Sequence, residues 1–178
     1  MSPNLDFTSS ELPITPSSVT LNYPNRPDFD CVEQKIYVTD EGRNAADDQF
    51  IARFNRDGSE AEFVVNFNDY EMRPIGIYVD DAKRRIFWGG KGDSGGTFVS
   101  DITGASTRRL SPGPARILNI ALNRKTEKLY VTNDEINTRP GVYTLYTNGT
   151  DYKRIISKVG LDDYQSVALD GKGVGAVT

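Results

Sequence analysis

The sequence predicts an all-β chain, a β-propeller of four-stranded antiparallel blades, with about three and a half blades in its 178 residues. Three observations predict it: a gapless internal repeat, hairpin glycines at matching intervals, and no helical periodicity of any length. The repeat emerges when "RPIGIYVDDAKRRIFWGG" (73–90) is laid over "RILNIALNRKTEKLYVTN" (116–133), an offset of 43 residues. Each copy opens on Arg, runs through an apolar strand, turns at Asp80 or Asn123, and returns through RIFWGG or KLYVTN. An offset of 50 towards the N-terminus finds "YPNRPDFDCVEQKIYVTD" (23–40), and one of 47 towards the C-terminus finds "DYQSVALDGKGVGAVT" (163–178).

A second element lies between these copies: "IARFNRDGSEAEFVV", "TFVSDITGASTRRL" and "VYTLYTNGTDYKRI", with turn glycines Gly58, Gly104 and Gly149 spaced 46 and 45 apart. Asp57-Gly58 and Asn148-Gly149 are strong hairpin dipeptides. Each unit therefore supplies four short strands rich in Val, Ile, Tyr and Phe within about 45 residues, which is a propeller blade. The expected blades are 24–70, 73–112, 116–158 and a partial 162–178, behind an N-terminal extension of residues 1–16, with 17–23 adding an outer strand. A blade cannot cover both faces alone, so Ile36, Val38, Ile86, Trp88, Leu129 and Val131 are expected to pack between blades. A closed ring needs about four or more blades. The chain is thus expected to be a partial or compressed ring, a fragment, or half of an oligomeric propeller. Assembly or truncation is preferred over a monomer, because an open blade face would expose an apolar patch.

Composition narrows the function. The net charge is −4, with 21 Lys and Arg against 25 Asp and Glu, and no basic run suited to nucleic acid. No secretory signal and no apolar window long enough to span a membrane is visible, and Cys31 is the single cysteine. A reduced cytoplasmic chain is expected; a secreted fragment that has lost its leader would look the same. Asn148-Gly149-Thr150 is a glycosylation triplet, read here as a turn. Histidine is absent altogether, which removes the usual general base and the commonest metal ligand.

That absence bears on "GGKGDSGG" (89–96), which contains the GDSGG of trypsin-like proteases and also satisfies G-x-G-x-x-G. A Ser94 nucleophile would need an imidazole, and Lys91 in an exposed loop is a poor substitute, so the chain is not expected to be a serine protease. A dinucleotide loop must run into a helix, whereas this one runs into Thr97-Phe98-Val99, a strand. The glycines are expected to permit positive φ in a hairpin that sets RIFW beside TFVSDI. The acidic pairs Asp47-Asp48, Asp80-Asp81 and Asp162-Asp163, and the run Asn133-Asp134-Glu135, lack EF-hand spacing and read as solvated turns. Asp80, Asn123 and Asp170 share one register, which suits turn chemistry repeated in every blade.

The copies KIYVTDEG, RIFWGG and KLYVTN resemble the YWTD repeat of low-density-lipoprotein-receptor-type six-bladed propellers, and PIGIYVDDAKRR resembles the segment preceding it. The resemblance implies the propeller fold, structural motif residues, and protein binding at one propeller face. A weaker resemblance, carried by NIALNRKTEKLYVTND, is to gluconolactonase-type propellers, where an Asn at the strand entrance helps to hold a divalent metal. Leu118 stands at that position here and Gln165 in the last copy, so the implied metal set is incomplete.

One polar set remains. Arg73, Arg116 and Asp163 share the register at the entrances of the innermost strands, with Gly76, Asn119 and Ser166 three positions later. Such entrances converge on the central channel, where two arginines suit a carboxylate or phosphate; a salt bridge from each to a neighbouring loop acid is the alternative. Arg73, Arg116, Asn119, Asp163 and Gln165 are therefore the candidate ligand-binding residues, with none assigned to catalysis or to a metal. The expected function is a non-catalytic module that binds a protein or small anionic ligand at the channel mouth, without cofactor, nucleic acid or membrane insertion, and with a possible homo-oligomer completing the ring. The alternative is a small-molecule enzyme of lactonase, lyase or cyclase type, for which a divalent cation is possible.

Overall fold

The computed structural model describes residues 18–42, 48–67, 72–112, 115–135, 139–157, 166–169 and 175–177. Strands β1 (Pro24–Asp30), β2 (Lys35–Asp40), β3 (Gln49–Asn55) and β4 (Glu62–Phe67) form an antiparallel sheet in chain order. A second sheet follows from β5 (Arg73–Asp80), β6 (Arg85–Lys91), β7 (Gly96–Asp101) and the short β8 (Arg108–Arg109). The third comprises β9 (Ile117–Asn123), β10 (Lys128–Asn133), β11 (Gly141–Tyr146) and β12 (Lys153–Ser157). Finally β13 (Val167–Leu169) and β14 (Gly175–Val177) form a two-stranded ladder. The first strand of each sheet packs on the first strand of the next: β1 on β5, β5 on β9, β9 on β13.

The repeat has a direct counterpart in turn geometry. In the turns between first and second strands the fourth residue is left-handed each time: Gln34 at φ 58, Arg84 at 51 and Glu127 at 54. Asp30 closes its turn by accepting the amides of Val32 (2.8 Å) and Glu33 (3.2 Å), and Asn123 does the same for Lys125 and Thr126 (both 3.1 Å). Asp80 departs from that pattern. Its turn is a short 3₁₀ segment, Asp81–Lys83, and its carboxylate is ion-paired with Arg85 at 2.9 Å. In the hairpins between third and fourth strands, Gly58, Gly104 and Gly149 have φ of 84, 86 and 92, conformations that a side chain disfavours. Each hairpin then has a second left-handed residue, Glu60, Ser106 or Asp151.

Ion pairs sew adjacent sheets together at the first turns, a feature the sequence reading did not find. Arg84 of the second sheet reaches Asp30 (2.6 Å) and Glu33 of the first. Lys83 and Arg85 reach Glu127 of the third at 2.8 and 2.6 Å, and Arg124 returns to Asp81 at 2.7 Å. Burial pushes the Asp30 carboxyl up, but the Arg84 guanidinium and the turn amides outweigh it and hold it below its ordinary range.

Apolar residues fill the spaces between sheets. Tyr37 and Ile51 of the first sheet meet Ile77, Val79, Ile86 and Trp88 of the second. Phe87, on the opposite face of β6, meets Ile117, Ile120, Leu129, Val131 and Leu145 of the third. Ile36 and Val38 depart from expectation. They turn away from the second sheet and pack with Phe50 and Phe54 under Val19 and Leu21 of the leading segment. Residues 18–23 contain no strand. The amides of Asn22 and Tyr23 bond to the Asp40 carboxylate (2.7 and 3.0 Å), so they are taken by a side chain rather than by a ladder.

The stretch 89–96 is tighter than a glycine-rich loop. β6 continues through Gly89 and Gly90 to Lys91, and β7 begins at Gly96, leaving a four-residue turn. RIFW does lie beside the next strand, Trp88 opposite Phe98 and Phe87 opposite Val99. Among these glycines only Gly92 has positive φ, at 108. The others are needed for close approach: a methyl on Gly89 would overlap the Ile117 side chain, and one on Gly95 the Ala115 carbonyl.

Candidate functional site

Among the described residues, two clefts lie against the first strands of the sheets. The first, of ≈ 260 Å³, sits at their entrance end and is lined by Tyr23, Glu41, Gly42, Arg73 and Lys91. Arg73 opens β5 and stands directly opposite Lys91 in the β5–β6 ladder. Two cations therefore share one strand pair. Arg73 donates to the carbonyls of Glu41 (3.1 Å) and Gly42 (2.8 Å), both in the loop that follows β2. Lys91 is not on an exposed loop, as the sequence suggested; it ends β6, and its ammonium lies 2.5 Å from the buried carboxylate of Glu41.

Arg116 precedes β9 at the equivalent place and takes a different partner. Its guanidinium pairs with Asp134 at 3.2 Å, and its amide donates to Asn133 Oδ1 at 3.0 Å. Arg73 thus engages the preceding sheet, whereas Arg116 engages its own. Asp163 and Gln165 lie outside the described residues.

The second cleft, of ≈ 350 Å³, runs along β1, β5, β9 and β13. Asp28, Tyr78 and Asn119 are its polar side chains, set among apolar residues that include Ile77, Ile120 and Ala168. Asn119 Oδ1 accepts the Val167 amide at 3.3 Å, which ties β9 to β13. Asp28 accepts the amides of Val79 (2.6 Å) and Phe29 (2.9 Å). Burial pushes its carboxyl up, more than these bonds and the nearby Arg124 pull it down. Burial likewise raises the Tyr78 phenol. The signal for Asp28 was present in the ungapped repeat, where it aligns with Tyr78 and Ala121: an acid where the other copies have an aromatic and a methyl.

Among the described residues no three His, Cys, Asp or Glu side chains gather as a metal-ligating group. No helix there is long and apolar enough to cross a membrane.

Solved structures show what this arrangement is. A chain in the crystal structure of a nidogen/laminin complex superposes with a TM-score of 0.70 and 22% identity, over 84% of this chain and 53% of that one. The fold is a β-propeller. A gluconolactonase from Xanthomonas campestris superposes equally well, with a TM-score of 0.70 at 16% identity, over 94% of this chain and 57% of that one. At these identities the likeness is one of fold. It agrees with both resemblances read from the repeats. The chain spans a little over half the length of either propeller. No family model and no curated protein matches it by sequence. The three four-stranded sheets are blades of that fold.

Proposed function

We propose that this propeller is a non-catalytic binding module whose channel mouth recognises a carboxylate or phosphate, free or carried on a protein. The observation that supports the reading is the Arg73–Lys91 cross-strand pair in the entrance cleft, with Glu41 lodged against it. Glu41 acts as an internal stand-in for the ligand, since the ammonium already holds one carboxylate in a cleft of modest size. Planar bidentate recognition by an arginine beside a lysine is well suited to such groups. Arg116, Asn119, Asp163 and Gln165 remain candidates by register alone, since Arg116 pairs with Asp134 and Asn119 lines the second cleft. One of the two structurally similar propellers was solved within a protein complex, which is compatible with a partner-borne anion.

The test is competition for the Glu41 position. Succinate and inorganic phosphate serve as free anions and a polyglutamate peptide as the carried one, with binding followed at the Gly42 amide by NMR. Glu41→Gln should tighten binding by roughly tenfold, about 1.4 kcal/mol, and Lys91→Gln should weaken it by a similar factor. A Glu41→Gln chain that binds none of the three probes would sink the proposal. Preference for the peptide over succinate would point to a protein partner.

The enzyme reading draws on Asp28, a carboxyl raised by burial within the second cleft, which we read as the wall of the channel. Turnover in a lactone panel, lost in Asp28→Asn, would move the chain to that reading.

A further inference from the structure

Among the described residues the channel cleft presents one carboxylate, Asp28, and no cation is paired with it. Asp28 accepts hydrogen bonds from two backbone amides, those of Val79 and Phe29, and among the described residues no lysine or arginine forms an ion pair with it. Arg124 acts on Asp28 electrostatically, yet it is held by Asp81 at 2.7 Å and Asp80 at 3.7 Å. A carboxylate drawn partly out of water without a counter-charge is costly, and its two oxygens can each accept more than the single bond they have. Blade geometry does not demand an acid here. The equivalent residues are Tyr78 in the second blade, Ala121 in the third and Ala168 in the fourth copy. Around Asp28 the walls are largely hydrocarbon, and the cleft volume falls in the lower range of small-molecule sites.

These features together select a ligand class. A metal ion would need several oxygen ligands where the cleft offers one carboxylate. An anion would meet Asp28 with like charge. An organic ammonium satisfies both the charge and the apolar walls. We infer that the channel wall at Asp28 is a second binding site, specific for a small apolar ammonium ion. Its N–H groups would donate to the Asp28 carboxylate, and its carbon skeleton would lie against Ile77, Ile120 and Ala168. The site is separate from the anion-binding mouth: Tyr78 lies five residues along β5 from Arg73, roughly 16 Å in an extended strand.

Cyclohexylammonium is the probe, with cyclohexanol as its neutral counterpart and cyclohexanecarboxylate as its anionic one. Binding is read from the Val79 and Val167 amides, which donate to Asp28 and Asn119. The expected result is a saturable shift with the ammonium, at least about tenfold weaker binding of the alcohol, and no saturable shift with the carboxylate. Asp28→Asn should abolish the preference for the ammonium over the alcohol. Ala168→Leu, at an exposed position on the cleft wall, should weaken both. Equal binding of ammonium and alcohol overturns the inference, as does a preference for the carboxylate, an unmoved Val79 amide, or retained preference in Asp28→Asn. If Asp28→Asn fails to fold, the ammonium-to-alcohol ratio in the unaltered chain and the Ala168→Leu result decide the matter. Failure at the mouth is read separately, at the Gly42 amide with succinate, so each site stands or falls alone.

Discussion

The two inter-blade interfaces described occupy the same place in the repeat but are built around different rings. Between the first and second blades Ile51, Ile77, Val79 and Ile86 surround a tryptophan cluster. Trp88 stacks on Phe98 with centroids 4.4 Å apart and meets Phe67 edge-on at 4.8 Å, with Tyr37 buried beside them. Between the second and third blades Ile117, Ile120, Leu122, Leu129, Val131 and Leu145 surround Phe87 and Tyr143, with Tyr152 stacked on Tyr143 at 4.9 Å. The strand β6 belongs to both, and it is lopsided. It extends Ile86 and Trp88 towards the first blade, whereas Phe87 and the bare backbone of Gly89 face Ile117 of the third. The repeat therefore specifies the backbone spacing of the blades, while volume is traded between neighbouring interfaces through a single strand.

Breaking the tryptophan cluster should have the largest effect. Trp88→Ala empties a site that is 2% exposed and removes two ring contacts, for an expected loss of about 3–5 kcal/mol in denaturant unfolding. Leu129→Ala, which shares its register with Ile86 on the neighbouring blade, should cost less, about 2–4 kcal/mol. Equal losses would remove the distinction between the interfaces.

Gly89→Ala sharpens the comparison from the other face of β6. The added methyl strikes Ile117, and overpacking of this kind costs about 1–3 kcal/mol. Part of that loss should return in the double variant with Ile117→Ala, which removes the Cγ2 that the methyl strikes, measured as a coupling in a double-mutant cycle. Purely additive losses would show that Gly89 is needed for something other than Ile117.

The smallest effect belongs to the ion pairs at the turns. Burial raises the Glu127 carboxyl, but Lys83, Arg85 and Thr147 outweigh it and hold it at about 2, below its ordinary 4.5. A depressed carboxylate contributes stability that is present above its unfolded value and lost as pH falls through its folded one. The window is thus between about 4.5 and 2. Because the carboxylate is nearly one-third exposed, the contribution is discounted to about 1 kcal/mol. Glu127→Gln should be less stable than the parent by that amount at pH 7, with the gap narrowing below pH 4.5 and closing near 2 in acid titrations of melting temperature. A gap that is constant with pH would mean that packing rather than charge is responsible.

Much of the fold was legible because β-hairpins demand particular residues at particular intervals. Gly58, Gly104 and Gly149 repeat since each holds a backbone conformation that other residues resist, and Asp30 and Asn123 repeat since each closes a turn. What did not repeat could not be read. Arg73 and Arg116 align in sequence, yet their partners come from loops, the Glu41 and Gly42 carbonyls for one and Asp134 for the other. Asp28 was passed over because it interrupts the pattern rather than forming one. Gly89 was misjudged in a similar way: its role depends on Ile117, which is distant in sequence and close only once the blades stack.

The left-handed residues at the rim have a consequence for how this chain could change. Gln34, Arg84, Glu127, Glu60, Ser106 and Asp151 all sit at φ between 51 and 58 without being glycine. Each carries a conformational penalty on the order of 1 kcal/mol that a glycine or asparagine would relieve. Arg84, Glu127 and Glu60 are bound into ion pairs, whereas Ser106 is exposed and outside them. Heat tolerance in this propeller can therefore drift upward one hairpin at a time, by ordinary surface substitutions that leave both the cores and the channel untouched.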